Sequence, residues 1–388
     1  MKRRSFLEAS LAGLAAMGWA GGKKYRIGVI GHTGRGNYGH GLDTVWRAFD
    51  DTEVVAVADP DDEGRARARE RTGARRDYRD YRRMLHSEKL DIVAVAPRWL
   101  DQRAAMTTAA AEAGCHIFHE KSFAPSLTDA DLMVAAVERN RVKVQMAHQM
   151  RTSPFVTRVK AMIEAGEIGM IQEVRGRGKE DRRARGEDLM VLGSHICDMM
   201  RYFLGDPQWV FSHVTEDGKE VGRGQVREAT EPIGPVAGNQ IAAVFGFPGG
   251  IPAYFGSKAS DRTHRKRFGL WIYGSKGVIH LPNDVYPRGR PYILRSPGWL
   301  PDETHRWEPI EAKPPASSRF RADSRTLGNA LLVADLLEAI EQDRKPACSE
   351  QDGRWTIEMI TSVYQSQKTG ARVDLPLEDR RHPLETWG

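Results

Sequence analysis

Cysteine is scarce in this chain. Its three residues, Cys115, Cys197 and Cys348 among 388, are widely spaced and odd in number. That pattern excludes a disulfide framework, and with no Cys-x-x-Cys pair no metal-binding set is read. Long apolar runs are missing as well. Beyond the first 22 residues no segment approaches the roughly 20 consecutive apolar residues that a membrane span needs. No charge sign dominates: 58 Lys and Arg against 52 Asp and Glu leave a formal charge of +6. The basic residues gather in Arg65-Ala-Arg-Ala-Arg-Glu-Arg71 and between Arg75-Arg76 and Arg82-Arg83. Acids interrupt them and only Tyr78 and Tyr81 add aromatics, so a solvated helix face accounts for them better than a nucleic-acid surface. There is no internal repeat, and no facing pair of acids that would suit a conventional glycosidase.

What is present begins at the N-terminus. Lys2-Arg3-Arg4-Ser5-Phe6-Leu7 is a twin-arginine sequence, followed by the short apolar stretch Ala9 to Ala20 and small residues at Gly18 to Gly22. This is the layout of a signal peptide, so residues 1–22 are expected to direct twin-arginine export to the periplasm or cell envelope, with no membrane span left after removal. In that oxidising compartment the three thiols should be buried. The remaining length suits two domains, expected at 23–147 and 148–388.

Residues 25–147 alternate apolar runs with helical stretches. Tyr25 to Ile30, Val54 to Ala58, Asp91 to Ala96, Cys115 to Phe118 and Val142 to Met146 read as strands; Gln102 to Ala113 and Thr128 to Arg139 read as helices. Near-continuous apolar strands separated by helices predict a parallel sheet covered on both faces, a Rossmann-type α/β domain. Immediately after the first strand comes Gly31-His-Thr-Gly-Arg-Gly36, with Gly31, Thr33, Gly34, Arg35 and Gly36 as candidate cofactor contacts. A second register, Gly34-Arg-Gly-Asn-Tyr-Gly39, fits G-x-G-x-x-G letter for letter but starts farther from the strand. Glycines there allow a tight turn, close approach of backbone to a pyrophosphate and packing of the helix that follows. Asp59 ends the second strand. A carboxylate at that place accepts hydrogen bonds from ribose hydroxyls and repels a 2′-phosphate, which favours NAD over NADP; Arg65 and its neighbours are the competing phosphate receptors. Lys121 stands where the strand Cys115 to Phe118 gives way to a loop. A partly desolvated lysine beside a cofactor can transfer a proton or polarise a carbonyl.

Taken together, these pieces resemble the Gfo/Idh/MocA family of sugar-active, nicotinamide-dependent oxidoreductases. The resemblance rests on the glycine loop, Ala94-Val-Ala-Pro97, Ala113-Gly-Cys-His-Ile-Phe-His-Glu-Lys121, Lys160-Ala-Met-Ile-Glu-Ala-Gly-Glu-Ile-Gly169, and the segments Gln351 to Ile360 and Val373 to Pro376. It implies NAD as cofactor, with Pro97, Glu120 and Lys121 beside it, and places Lys121 next to the nicotinamide and the reacting carbon. The family's Glu-Lys-Pro is Glu120-Lys121-Ser122 here, and serine is expected to loosen the loop. The family's Asp and His, four residues apart on one helix, are represented by His195 alone, because position 191 is valine. Asp198, three residues after His195, shares its helix face and is expected to orient it or to pair with Arg201. His195 is the expected base for the hydroxyl proton, with Lys121 holding the same oxygen. The family's histidine beyond Pro97 is absent from Arg98-Trp-Leu-Asp101, and His148 and Arg151 are candidate substrate contacts.

From Gly169 the pattern turns to alternating segments separated by turns, which predict an α+β domain with a large, mainly antiparallel open sheet. Pro282 to Ser318 reads as a long loop. The resemblance implies helices on one sheet face and a homo-oligomer contact on the other. Three functions stay open: a dehydrogenase for a sugar, glycoside or polyol; a redox-neutral enzyme that oxidises a glycoside, eliminates and returns the hydride to the product; and a sugar- or nucleotide-binding protein with a decayed site, suggested by Ser122 and Val191.

Overall fold

The computed structural model describes residues 24–181, 183, 186–259, 267–314, 317 and 319–387. The twin-arginine segment lies outside the described residues. The N-terminal sheet contains β1 (Tyr25–Ile30), β2 (Thr52–Ala58), β3 (Arg76–Tyr78), β4 (Ile92–Val95), β5 (His116–His119) and β6 (Val144–Met146), all parallel, in the order β3-β2-β1-β4-β5-β6. This is the doubly wound dinucleotide order, whose ligand crevice lies at the carboxyl ends of β1 and β4 where the direction of winding reverses. Register carries the sequence motifs to one line. Ile30 pairs with Ala58 and Val95, and Val95 pairs with His119. Gly31, Asp59, Ala96 and Glu120 therefore leave their strands side by side.

Helices α1 (Asp62–Thr72), α2 (Tyr81–Ser87), α3 (Arg103–Glu112) and α4 (Leu127–Asn140) follow β2, β3, β4 and β5. The cap of α4 is Ser126, which accepts from the Asp129 amide at 3.1 Å, two residues before the expected start. No α-helix follows the glycine loop. Residues 33–44 are turns, closed by a short 3-10 helix at Val45–Ala48. The cause is local: Gly34, Gly36, Asn37, Gly39 and Gly41 all have positive φ, which a right-handed helix excludes. The sheet face left open is covered by Leu42, Val45 and Trp46 together with α8 (Leu327–Glu341), whose Leu332, Leu336 and Leu337 are fully buried there. Each such leucine contributes roughly 1.5–3 kcal/mol, so a C-terminal helix completes the core of the N-terminal sheet.

The second half contains α5 (Pro154–Glu164), β7 (Ile171–Arg177), α6 (Glu187–Val191), α7 (Gly193–Leu204) and β8 (Trp209–Glu216). It continues with strands at Gln240–Phe247, Ile251–Lys258, Gly269–Gly274 and Gly277–Pro282, then α9 (Glu350–Thr369). These strands form a large sheet in which β7 pairs parallel with Ile251–Lys258 and the other strand pairs are antiparallel. The segment expected to be a long loop adds two strands at one side of the sheet, Tyr292–Leu294 and, at the edge, Trp307–Pro309; both are only three residues long, too short for a period-2 pattern to stand out. Helices α7 and α9 cover the inner face: Gly176 of β7 lies against Ile196 and Met200, and Ser212 of β8 donates to the Val363 carbonyl at 2.6 Å. On the outer face one cross-strand row runs Phe211, Val244, Tyr254, Arg175, Trp271, His280, Tyr292.

Candidate active site

The turn after β5 holds the first group of candidate residues. Arg103, at the start of α3, is fully buried and donates to the carbonyls of Pro97, Glu120 and, at 2.9 Å, Ser122. It ties the end of β4 to the turn after β5. Burial lowers its pKa to about 10, with Glu120 opposing. The signal was visible as an arginine on an otherwise apolar helix face, but its target carbonyls were not.

Ser122 does not loosen the turn. Its hydroxyl donates to the Met190 carbonyl at 2.7 Å, and Lys121 Nζ donates to the Val191 carbonyl at 3.0 Å. Two of the last carbonyls of α6 are satisfied in this way. Position 191, where the family has an acid, thus still receives the lysine, through its backbone. Burial lowers the Lys121 pKa from 10.5 to about 8; Glu120 opposes this, while Arg183 and Arg103 add to it. Of the two acids on α6, Asp188, one turn earlier, accepts from Ser257 Oγ at 2.6 Å and the Glu180 amide at 3.2 Å. Burial raises its pKa.

His195 and Asp198 lie on α7 as expected but do not address one another. Asp198 accepts from Arg151 at 2.8 to 3.0 Å through both oxygens, and its Oδ2 lies 3.2 Å from His148 Nδ1. Burial works against the Asp198 charge, and Arg151 and His148 outweigh it, so its carboxyl sits far below the usual range. Arg201 instead pairs with Asp206 and Asp352. Arg151 is held by Asp198 and Asp352. The His195 ring lies tilted against that of His148, centroids 5.2 Å apart, and its Nδ1 has no hydrogen-bond partner among the described residues. Burial, with His148 and Lys121 nearby, depresses its pKa well below 6.5, so the ring is neutral. Helical spacing gave the shared face; it could not tell which neighbour across the interface would take the carboxylate. Cys348 also approaches Asp198 and His148, their ligand-type atoms lying within 4.8 Å of one another. There Arg151 already supplies the positive charge. All three cysteines are free and buried.

The glycine loop packs against the sheet ends. A Cβ on Gly36 would strike the backbone nitrogens of Arg98 and Trp99, and one on Gly39 would strike the Glu120 carboxylate and the Ala96 carbonyl. The Thr33 amide and hydroxyl donate to Asp59, as does the Asp61 amide. The carboxylate expected to meet a ribose is therefore turned onto the loop and fully buried. Arg35 pairs with Asp101 and lies over the Trp99 ring. Pro97, expected beside the cofactor, has its carbonyl engaged by Arg103, and Glu120 accepts from the His40 amide and the Lys121 amide.

Two hollows open at the strand ends. One is lined by Gly31, Ala58, Pro60, Arg79, Tyr81 and Met106, among others, and the other by His40, Arg98, Lys121, Arg183, Val191 and Glu231, among others. The first suits an adenosine, with an aromatic ring and apolar side chains beside the strand end; the second holds the buried amine. Both lie at the carboxyl ends of the parallel strands, where a doubly wound sheet takes a dinucleotide, and such a fold with a buried amine at that edge has the layout of a dinucleotide-dependent oxidoreductase with a separate α/β domain.

Comparison with known proteins narrows this class. Residues 25–148 match the NAD-binding Rossmann-fold domain of an oxidoreductase family, and residues 160–375 match the C-terminal α/β domain of the same family. The chain belongs to the Gfo/Idh/MocA family of NAD-dependent oxidoreductases. Among curated relatives, D-apiose dehydrogenase of Paraburkholderia graminis is 27% identical over 360 residues, 88% of each chain. Levoglucosan dehydrogenase of Pseudarthrobacter phenanthrenivorans is 27% identical over 252 residues, 58% of this chain and 64% of the relative. A solved levoglucosan dehydrogenase in complex with NADH and levoglucosan shares the fold, with a TM-score of 0.73 at 20% identity over 92% of this chain and 100% of that one.

Proposed function

We propose that the protein oxidises a secondary hydroxyl of a sugar, glycoside or polyol, with hydride passing to NAD and Lys121 handling the hydroxyl proton. The observation that carries this reading is the Lys121 amine: buried, donating among the described residues to the Val191 carbonyl alone, with its pKa lowered by burial to about 8. A group poised near working pH is an effective proton acceptor and donor. Bound NAD would supply the hydride acceptor, held through the hollow at Ala58, Pro60, Arg79 and Tyr81. Asp59 supports the preference for NAD by placing a negative charge under that hollow. Neutral His195, beside Lys121, is the second proton acceptor in the reading. Arg151 and His148 frame it from behind through Asp198. The carbohydrate class is supported by the names of the relatives, which act on apiose, levoglucosan and myo-inositol.

The twin-arginine sequence supports export of the folded enzyme to the periplasm or cell envelope. It also favours the redox-neutral variant of the same chemistry, since a cofactor outside the cytoplasm cannot be renewed from the soluble pool. The outer-face row of Phe211, Tyr254 and Tyr292, which are 47%, 37% and 40% exposed, supports a homo-oligomer through the open sheet. One experiment separates these readings. Purified exported protein is denatured to identify released cofactor, and the native protein is screened with glycosides and free sugars. NADH accumulation supports the dehydrogenase, and sugar release without net NADH supports the redox-neutral cycle. A protein that neither carries nor binds NAD refutes both.

A further inference from the structure

One titratable group in the Lys121 hollow belongs to none of the motifs that the fold and family explain. His40 follows Gly39, whose φ of 64° and missing Cβ let the chain press against Glu120. The His40 amide donates to Glu120 Oε2 at 2.9 Å, and the ring Nδ1 lies 3.1 Å from both Glu120 oxygens. The His40 carbonyl is pinned in turn by Asn329 Nδ2 at 2.8 Å, and Asn329 by Gln149 at 2.6 Å. Glu120 is 1% exposed. Burial opposes its charge, but His40 and Lys121 outweigh this and hold its pKa at about 2. A nitrogen that faces both oxygens of an ionised carboxylate is the donor, so the neutral ring carries its proton on Nδ1 and leaves Nε2 as a free acceptor.

The contrast with His195 matters here. His195 is half-buried and is not among the residues that line the Lys121 hollow, whereas the His40 side chain is 53% exposed and lines it. Lys121 itself is buried, so a proton taken from a substrate hydroxyl needs a second group to reach water. We propose that His40, held by Glu120, is that group: a carboxylate–imidazole dyad that exchanges the reaction proton between the Lys121 hollow and solvent. In the oxidative direction the carbon–hydrogen pair leaves as hydride to NAD, the hydroxyl proton passes to the Lys121 amine, and Lys121 returns it to His40 Nε2, which releases it to water. Glu120 stays ionised throughout and positions the ring. The proposal rests on the dehydrogenase reading for its chemistry, but its geometry can be tested without it.

The test has two arms. In the cofactor-free protein, labelled with ¹⁵N-histidine, His40→Asn deletes one imidazole signal and so assigns it. The expected neutral tautomer is protonated on Nδ1; an Nε2-protonated ring would overturn the dyad. In steady-state assays of the NAD-loaded enzyme, His40→Ala should lower kcat about 10- to 100-fold, remove one limb of the pH profile and regain activity with added imidazole. An active wild type with an unaffected His40→Ala variant, or a loss that imidazole does not restore at any pH, overturns the relay. A wild type that reduces no NAD with any sugar counts against the dehydrogenase reading, and the tautomer still decides the dyad.

Discussion

The turn that carries Lys121 and the helix that carries His195 meet in one cleft, yet they are finished differently. On the turn, Arg103, Glu120, Lys121 and Ser122 hold one another, the neighbouring carbonyls and His40 by hydrogen bonds. On the helix side, His195 Nδ1, Ser194 Oγ and His148 Nε2 are buried with no hydrogen-bond partner among the described residues. An unpaired buried polar group costs about 1–3 kcal/mol, and such groups are ordinarily paired by water or ligand. The lesson is a division of labour. The turn is set by the chain's own hydrogen bonds, while the helix side presents acceptors and donors that a bound hydroxylated molecule can satisfy.

The sharpest way to break that contrast is to remove the amine. Lys121→Ala should lower turnover about 10²- to 10⁴-fold while NAD affinity, followed by fluorescence titration, changes little. Equal losses in both would show that the turn only holds cofactor. Next in size is Asp198→Asn, which leaves Arg151 buried against a neutral amide. We expect a loss of about 3–5 kcal/mol in chemical denaturation, far more than His195→Gln produces on the same helix. Arg103→Met follows. It keeps the volume but strands the carbonyls of Pro97, Glu120 and Ser122, and should cost at least about 3 kcal/mol and lower turnover as the turn loosens. Retained stability would mean that the turn does not depend on Arg103.

The smallest expected effect concerns pH. Lys121 titrates near 8 when folded and near 10.5 when unfolded. Between those values the unfolded chain keeps a proton that the folded chain has released, so this group makes stability rise with pH across that window. Below it the buried ammonium costs up to about 3 kcal/mol. Lys121→Met should remove that rise in denaturation curves taken from pH 7.5 to 10, provided the orphaned Val191 carbonyl does not distort α6. A wild-type rise that persists in the variant would place the titration elsewhere.

Much of the frame was legible in the residues. β1 falls at its expected bounds, because a continuous apolar pattern bounded by turn residues leaves little choice of register. β3 was missed, since Arg76-Asp-Tyr78 is three residues of an edge strand with no apolar pattern. The glycine loop was found, but the helix expected after it is absent. The glycines were read for what they permit near a ligand, and their positive φ values forbid the helix. His40 and Asp188 were overlooked because a histidine between glycines and an acid beside another acid carry no periodic signal.

By itself the sequence determined the parallel α/β first half, the mainly antiparallel sheet that follows it, and the family with its NAD-dependent oxidoreductase chemistry, because these rest on patterns repeated over many residues. Only the tertiary structure decided which partner each polar group of the cleft takes. It sent Asp198 to Arg151 and away from His195, turned Asp59 onto Thr33, brought α8 from the far end of the chain to cover β1, and pressed His40 onto Glu120. Each of these joins residues distant in sequence. Local propensity is silent about such contacts, and burial makes every one of them obligatory once the sheet ends have aligned.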